Sequence, residues 1–294
     1  MKFAWIQEHR DSHPIAVMCR VLRVSTSGFY AWCKRVPGPR AQRSERIRAS
    51  VSRVFEQSNQ IYGSHKIAQK LTNDEELETA CRNTVAKAMN EMGLKSRVVG
   101  KFTPTTTTTD PDKVPAPNVL NQAFTASAPN QKWVTDITYL PTAAGWVYLA
   151  VVLDLFSRKV VGWSISESLA TPLVSDALRK AIELRRPAPG QLLHHSDRGC
   201  QYTSDLYRGT LRKLGIECSM SRTGCCYDNA VMERFFWSIK HEWTKFEAFA
   251  DLEEARLSVF EYIEMFYNTS RIHQTLGYKT PDAFEALHES SLAS

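Results

Sequence analysis

Between residues 101 and 130 the chain runs through KFTPTTTTTDPDKVPAPN, rich in Thr and Pro and without helical or strand periodicity. Such a stretch is an extended, fairly stiff linker. It constrains the fold more than any other feature, because the pattern changes across it. Before it, apolar residues recur at helical spacing; after it, β-branched and aromatic residues dominate. The chain therefore divides into a helical front part and a mixed α/β body.

In the front part, HPIAVMCRVLRVSTSGFYAWCKR reads as two short helices. Pro14 suits a first helical position, Ile15, Cys19 and Leu22 repeat at helical spacing, and Ser25 caps a second helix carrying Phe29 and Trp32. This is helix-turn-helix spacing, with Ser27, Tyr30, Lys34 and Arg35 as candidates for a DNA-facing surface. A basic run follows from Arg40 through Arg53. A second helical pair covers about residues 63 to 92, with Ile67 and Leu71 on one apolar stripe, Val85, Met89 and Met92 on the other, and Gly93 as a stop. Arg82, Asn83 and Lys87 fall on its polar face. Residues 1–104 hold 18 Lys/Arg against 9 Asp/Glu, while the remainder holds 19 against 22, so the net +6 is concentrated at the front. A basic front on a nearly neutral body suits a polyanion partner.

No apolar run approaches the roughly 20 residues that span a bilayer, and the start lacks the apolar core and cleavage site of a signal peptide. A soluble, cytoplasmic protein is expected. Seven cysteines in an uneven pattern argue for reduced thiols. An N-terminal zinc site fails on ligand count, since Cys19 and Cys33 lie too far apart to pair beside His9 and His13.

Beyond the linker, WVTDITYL and WVYLAVVLDLFSRKVVGWSI give three strands separated by turn signals at Gly145 and at residues 154–159. A helix over about residues 172–186, the strand QLLHH, a helix over about 204–214 and the strand IECSMS complete a βββαβαβα order, which implies a mixed sheet with helices packed against it. A long helical region from Asn229 to Asn268 is expected to break near residues 246–250 and restart at Asp251, with Glu254 completing a capping box. The resulting units are 1–55, 56–100, the linker 101–129, a core at 130–245 and a helical extension at 246–294.

Three carboxylates stand out. Asp is depleted in strands, yet Asp136 lies in the middle of WVTDITYL, sharing a face with Val134 and Thr138. Asp197 follows QLLHH at a strand end, a favoured ligand position. Glu233 lies in the first turns of DNAVMERFFWSIKHEW, with Trp237 and Lys240 at i+4 and i+7. If the first and fourth strands are neighbours, the three converge, and clustered carboxylates repel unless a cation sits among them. An oxygen-rich cluster suits Mg2+ or Mn2+, and two such ions serve in-line displacement at phosphorus.

Other residues carry weaker readings. Asp154 fits a hairpin turn, and Asp228 fits a cap of the helix bearing Glu233. At most one of His194 and His195 can face the site. Arg198 and Lys240 are phosphate-contact candidates beside the proposed ligands. Tyr202 and Trp237 are candidates for stacking on an unpaired base, with burial in the sheet–helix core the favoured reading for Trp237. Arg271 and His273 read as phosphate contacts or helix caps.

Sixty residues separate Asp136 from Asp197, 35 separate Asp197 from Glu233, and six separate Glu233 from Lys240. This resembles the Asp, Asp-35-Glu signature of transposases and retroviral integrases. WVTDITYL, VVLDLFSR, HHSDRGCQYTS, RTGCCYDNAVMERFFWSIKHEW and YNTSRIHQTLGYKTP resemble, in order, the second-reading-frame product of insertion-sequence-three type bacterial transposases, and IYGSHKI with MNEMGLK extends the likeness ahead of the linker. IYGSHKI has Ser-His-Lys where relatives usually carry a more basic or aromatic triplet. The resemblance implies a ribonuclease H-like five-stranded mixed sheet flanked by helices, preceded by small all-α helix-turn-helix-like domains. It implies Asp136, Asp197 and Glu233 as metal ligands and Lys240 at the transposon end. It also implies DNA as partner and substrate, a homo-oligomer holding two ends, and an upstream reading-frame product supplying a further helix-turn-helix and a coiled coil, since no heptad run occurs here. No SH3-like domain is expected after residue 281. Competing readings are a purely hydrolytic nuclease of the same fold and an inactive DNA-binding descendant; the basic front and the intact carboxylates weigh against them.

Overall fold

The structure, a computed structural model, describes residues 2–34, 36, 38–74, 77–97 and 115–292. Arg35 and the first part of the Thr/Pro-rich stretch, residues 101–114, lie outside the described residues.

Helices α1 (Lys2–Glu8), α2 (Ile15–Val21) and α3 (Thr26–Cys33) close on a small core of Ile6, Met18, Cys19 and Phe29. The two short helices expected from the sequence are α2 and α3. Ser25 caps α3, its hydroxyl accepting from the Gly28 N–H at 3.0 Å, and a Cβ on Gly28 would lie 2.6 Å from that oxygen. Pro14 stands one position earlier than expected, as the N-cap of α2. Ser27, Tyr30 and Lys34 are exposed on α3 and at its end.

The basic run after it is itself helical. Helix α4 (Pro39–Gln57) begins on a proline suited to a first turn and buries Ile47, Val51, Val54 and Phe55 at spacings of four, three and one. These pack with α5 (Ser64–Asn73) and α6 (Arg82–Glu91), so the boundary drawn at residue 55 falls inside a helix that belongs with the second unit. Arg82, Asn83 and Lys87 are exposed on α6, with Lys87 3.9 Å from Glu91.

The sheet comprises β1 (Lys132–Thr142), β2 (Gly145–Asp154), β3 (Val160–Ser166), β4 (Leu193–Ser196) and β5 (Glu217–Met220), in the order β3-β2-β1-β4-β5. The first three form an antiparallel meander; β4 and β5 run parallel to β1. This is the mixed five-stranded sheet expected from the sequence. Because β4 has four residues and β1 has eleven, one edge of β1 is open beyond Ser196.

One face of the sheet is covered by α7 (Thr171–Arg185), α8 (Cys200–Thr203) and α9 (Asp205–Lys213), which pack on Trp133, Ala150, Val152 and Val161. Helix α7 comes so close to β3 that a Cβ on Gly162 would meet the Ala177 carbonyl at 2.3 Å and the Ala181 amide at 2.7 Å. The other face packs against α10 (Ala230–Glu242) and α11 (Leu252–Phe260). The apolar cluster there continues without interruption into α4, α5 and α6. Residues 115–129, assigned to the linker from composition, are also anchored: the Ser219 hydroxyl accepts from Val119 N and Leu120 N, each at 3.0 Å, and Leu120 is buried.

The break between α10 and α11 falls as expected. Asp251 accepts from Glu253 N and Glu254 N at 2.9 and 3.1 Å, while Glu254 accepts from Ala250 N at 2.7 Å, a capping box. Helix α11 then widens into π-helical turns over Glu261–Tyr267. Beyond them the Asn268 amide brackets Val160, both bonds 3.0 Å, and so satisfies backbone groups on β3, the last strand of the sheet. Finally α12 (Pro281–Leu292) is tied to α7 by the ion pair of Glu285 with Arg185.

Polar contacts fasten the helical front part to the body, among them the Tyr278 hydroxyl 3.2 Å from His65 Nδ1. The Tyr62 hydroxyl donates to the Ser270 carbonyl at 3.1 Å and accepts from Ile272 N at 2.9 Å. Between them, Arg271 is buried in a two-bond ion pair with Glu242 at the end of α10, at 2.5 and 2.6 Å. Among the described residues no helix is long and apolar enough to cross a membrane.

A Gly162→Ala chain should lose about 3 kcal/mol in urea unfolding, because the intruding methyl meets backbone that has no rotamer by which to yield. Glu242→Gln strands a buried guanidinium and should lose about 3–5 kcal/mol at pH 7. Burial alone would raise the Glu242 carboxyl, but Arg271 outweighs it and holds the group below its ordinary value. The gap between parent and variant should therefore be full above pH of about 4 and narrow as the solution is acidified below that.

Candidate active site

The parallel register between β1 and β4 brings the first two carboxylates together. Lys132 pairs with Leu193, Trp133 with His194 and Val134 with His195, an offset of 61 residues, and the same offset relates Asp136 to Asp197. Adjacent strands lie about 4.8 Å apart. Asp197 thus leaves the end of β4 beside Asp136, where β1 has no further strand to cover it.

Each aspartate is oriented by its own backbone. Asp136 Oδ1 accepts from Ile137 N at 2.8 Å, and Asp197 Oδ1 accepts from Gly199 N at 2.9 Å. A Cβ on Gly199 would press on that Asp197 oxygen at 3.1 Å, so the turn after β4 favours glycine. Below the site, Thr135 donates to the Val151 carbonyl at 2.7 Å and lies 3.2 Å from the Tyr202 hydroxyl. Tyr202 is buried edge-on against Tyr207, whose hydroxyl contacts His194 Nε2 at 3.1 Å. This polar chain fixes α8, and with it the turn carrying Asp197, under β1.

The third carboxylate arrives on α10. Asn229, the residue before the helix, donates from Nδ2 to the Thr135 carbonyl at 3.2 Å, pinning the helix start next to Asp136. Glu233 is exposed in the first turn. Lys240, two turns on, places its ammonium 4.4 Å over the Tyr139 ring; Tyr139 in turn meets the exposed Trp146 edge-on at 5.0 Å.

Electrostatics tie these groups into one site. The Asp136 carboxyl is pushed well above the usual carboxylate range, first by burial, then by the charge of Asp197, with Glu233 adding to it; the Ile137 N–H and Lys240 oppose the shift. Partial desolvation also raises Glu233. Lys240 is lowered to about 8 by burial, against the pull of Asp136. The side chains do not close to a single coordination sphere: among the described residues no three His, Cys, Asp or Glu groups meet closely enough to hold one ion. The donor set is nonetheless all-oxygen and carries excess negative charge, which is what a hard divalent cation neutralises. A buried acceptor, Asn229 Oδ1, also stands unpartnered at the helix start.

Several sequence readings are corrected. His194 and His195 are both internal: burial lowers them to about 3 and about 4, and the His195 ring sits between the hydroxyls of Ser219 and Ser221, so neither faces a substrate. Tyr202 is buried against Thr135 and has no free face for a base. Trp237 is half-buried outside the sheet–helix core, stacked on His241 at 4.6 Å with Arg234 at 4.4 Å over its ring. Arg271 is a buried ion-pair partner, and His273 packs edge-on against Tyr267 beside it. Asp228 lies in a 3-10 turn and does not cap α10. It gathers Arg222, Gln122 and Asn118 at 2.8–3.0 Å, and Arg222's hydrogen bonds hold its carboxyl far below the ordinary range. Asp154 does make a turn, accepting from Phe156 N at 2.8 Å, and is buried near Arg185. Arg198 braces the loop after β5, donating to the Ser221 carbonyl at 2.6 Å and to Thr223 at 2.7 Å. Asn229 and Tyr139 were missed; their sequence signals are the polar residue at the helix start and the aromatic three places after Asp136.

Residues 126–226 and 214–281 match the integrase core domain family, and residues 42–102 match an HTH-like domain family. Sheet, site and matches together define an integrase-core protein carrying a helix-turn-helix-like unit. The chain is 42% identical to the transposase InsF for insertion sequence IS3A of Escherichia coli (strain K12), over 97% of this chain and 98% of that protein. It is 38% identical to the insertion element IS600 uncharacterized 31 kDa protein of Shigella sonnei, over 92% and 99% respectively. A chain of the simian T-cell lymphotropic virus intasome, solved with the PP2A regulatory subunit B56 gamma, aligns over 80% of this chain and 74% of its own at 15% identity and a TM-score of 0.47. The chain belongs to the IS3-type insertion-sequence transposase family.

Replacing Asp228 with Asn leaves Arg222 without its anion and loosens the segment at residues 118–122. A loss of about 2–3 kcal/mol in thermal or urea unfolding is expected, with the carboxylate site otherwise intact.

Proposed function

We propose that Asp136, Asp197 and Glu233 are the catalytic, metal-binding carboxylates of a DNA transposase that nicks the ends of its element and joins the freed 3′-hydroxyl to a second DNA strand. The observation that carries this reading is the shared offset of β1 and β4, which aligns Asp136 with Asp197 at an open sheet edge under one electrostatic field. Mg2+ or Mn2+, two ions in the active complex, would supply charge neutralisation and an activated oxygen nucleophile. Asp136 and Asp197 are anchored by backbone N–H groups and offer their remaining oxygens. Glu233, exposed on the first turn of a braced helix, has the rotamer freedom to close on them.

DNA would be held by residues around this edge. Lys240 is kept beside Tyr139 and Asp136, a position suited to a phosphate next to the scissile bond. Arg198 would contribute what its bonds to Ser221 and Thr223 leave available. Ser27, Tyr30 and Lys34 on α3, and Arg82, Asn83 and Lys87 on α6, are exposed and form two further candidate surfaces. Arg35 belongs to the same sequence reading but lies outside the described residues. Joining two ends calls for at least two copies on DNA, with the upstream reading-frame product as a further partner, in the cytoplasm at the nucleoid.

Glu233→Gln decides the matter. With labelled element ends and Mn2+, cleavage and joining should both fall by more than the ~10–100-fold typical of outer-shell changes, while duplex binding stays within about twofold. Hydrolysis without joined product in the parent would point to a nuclease instead. Binding without cleavage in the parent would point to an inactive descendant.

A further inference from the structure

Where the helix-turn-helix-like unit meets α10, the chain partly buries a cation without giving it an anion. Lys66, in the first turn of α5, is half-buried with its ammonium 5.0 Å over the Tyr62 ring. Among the described residues it makes no ion pair; the charges acting on it are Arg271, Glu242 and Arg234. Glu242 is already spent, since Arg271 takes both of its oxygens and the Tyr262 hydroxyl adds a third bond. Burial and the two arginines therefore leave Lys66 lowered to about 8. An arrangement of this kind is unfavourable within the chain alone, because a desolvated ammonium beside like charge has only an aromatic face and the residual pull of the already paired Glu242 to offset the loss of water.

Arg234 lies one turn before Ser238 on α10, and the Ser238 hydroxyl is 3.4 Å from Arg271 Nη2, next to the Ile272 N–H that binds the Tyr62 hydroxyl, so Arg234 comes to the Lys66 side of the seam from the other unit. It follows Glu233 directly on α10, is exposed, and is held with its guanidinium carbon 4.4 Å over Trp237, which is itself stacked on His241. It too has no carboxylate partner among the described residues. A point-like ammonium and a forked guanidinium, contributed by different units and both lacking anions, are the donor pair a tetrahedral phosphate accepts.

We propose that Lys66 and Arg234 form a seat for a single backbone phosphate of DNA at the seam between the helix-turn-helix-like unit and the catalytic helix. Arg234 is the residue next to Glu233 on α10, so a phosphate bound there fixes the register of the strand relative to the carboxylates. The Trp237 ring, 4.4 Å beneath the Arg234 guanidinium carbon, limits the freedom of that side chain. The inference rests on the DNA-transposase reading and adds to it a specific contact that spans both units.

The test uses the full chain and a blunt duplex of about 20 base pairs, with affinity measured between 50 and 200 mM salt. Each phosphate contact contributes about 0.9 to the slope of log affinity against log salt. Lys66→Gln should flatten the slope by about that amount, Arg234→Gln by a similar amount, and the double variant by no more than either alone, because both serve one phosphate. Lys66→Arg should keep the parental slope. Lys66→Gln should also melt no lower than the parent, since it removes an uncompensated charge. A parental slope in Lys66→Gln, a double variant with twice the single loss, or a lowered melting temperature with an unchanged slope would each overturn the seat. Failure of the parent to cut its element ends would instead sink the transposase reading, whatever the slopes.

Discussion

On the catalytic role proposed for them, three like charges have to be kept near one another, and the strand register, the short β4 and the braced α10 all serve that requirement. Asp136 is raised first by burial and then by the charge of Asp197, with Glu233 adding to it. The fold resists by rigid means. A parallel strand pair aligns the two aspartates, backbone N–H groups hold one oxygen of each, and the short length of β4 leaves their far side open. The shortness of β4 and β5 is thus what turns the middle of a central strand into an accessible edge.

Glu233 is held differently. Its helix is fastened at both ends: by Asn229 to the β1 backbone at the start, and by the Glu242–Arg271 pair at the finish. Neighbouring segments are tied down by Asp228, which draws Arg222 and residues 118 and 122 together ahead of the helix. An exposed side chain on a helix braced at both ends suits the metal-ligand role proposed for Glu233. The buried pair at the far end contributes geometry more than net stability, because desolvating both partners cancels much of their attraction.

How much of this could be read beforehand depends on the physics involved. Period-two and period-3.6 patterns gave the meander, α7, α9 and the restart at Asp251, since burial imposes those repeats directly on the residues. Asp136 stood out because a charge in mid-strand contradicts local preference, and its alignment with Asp197 followed from expecting β1 and β4 as neighbours. Composition misled where context overrode it: the polar run in α4 is a helix whose buried apolar stripe is only Ile47, Val51, Val54 and Phe55, and the later part of the Thr/Pro-rich segment packs through backbone bonds to Ser219 that no side-chain pattern reports. The histidines, Tyr202 and Arg271 were misplaced for one shared reason. A polar residue destined for an internal network looks, in sequence, the same as one destined for a ligand. The π-helical turns and the Asn268 bracket left no local trace at all.

The continuous apolar cluster joining α4, α5 and α6 to the sheet has a further consequence. A reader with its own sealed core can be exchanged between proteins like a cassette, but this one completes the interior of its neighbour. New recognition would have to arise by altering exposed side chains on a frame that stays in place, so related elements should diverge in the targets they favour through point changes on helix surfaces, with the chassis inherited whole.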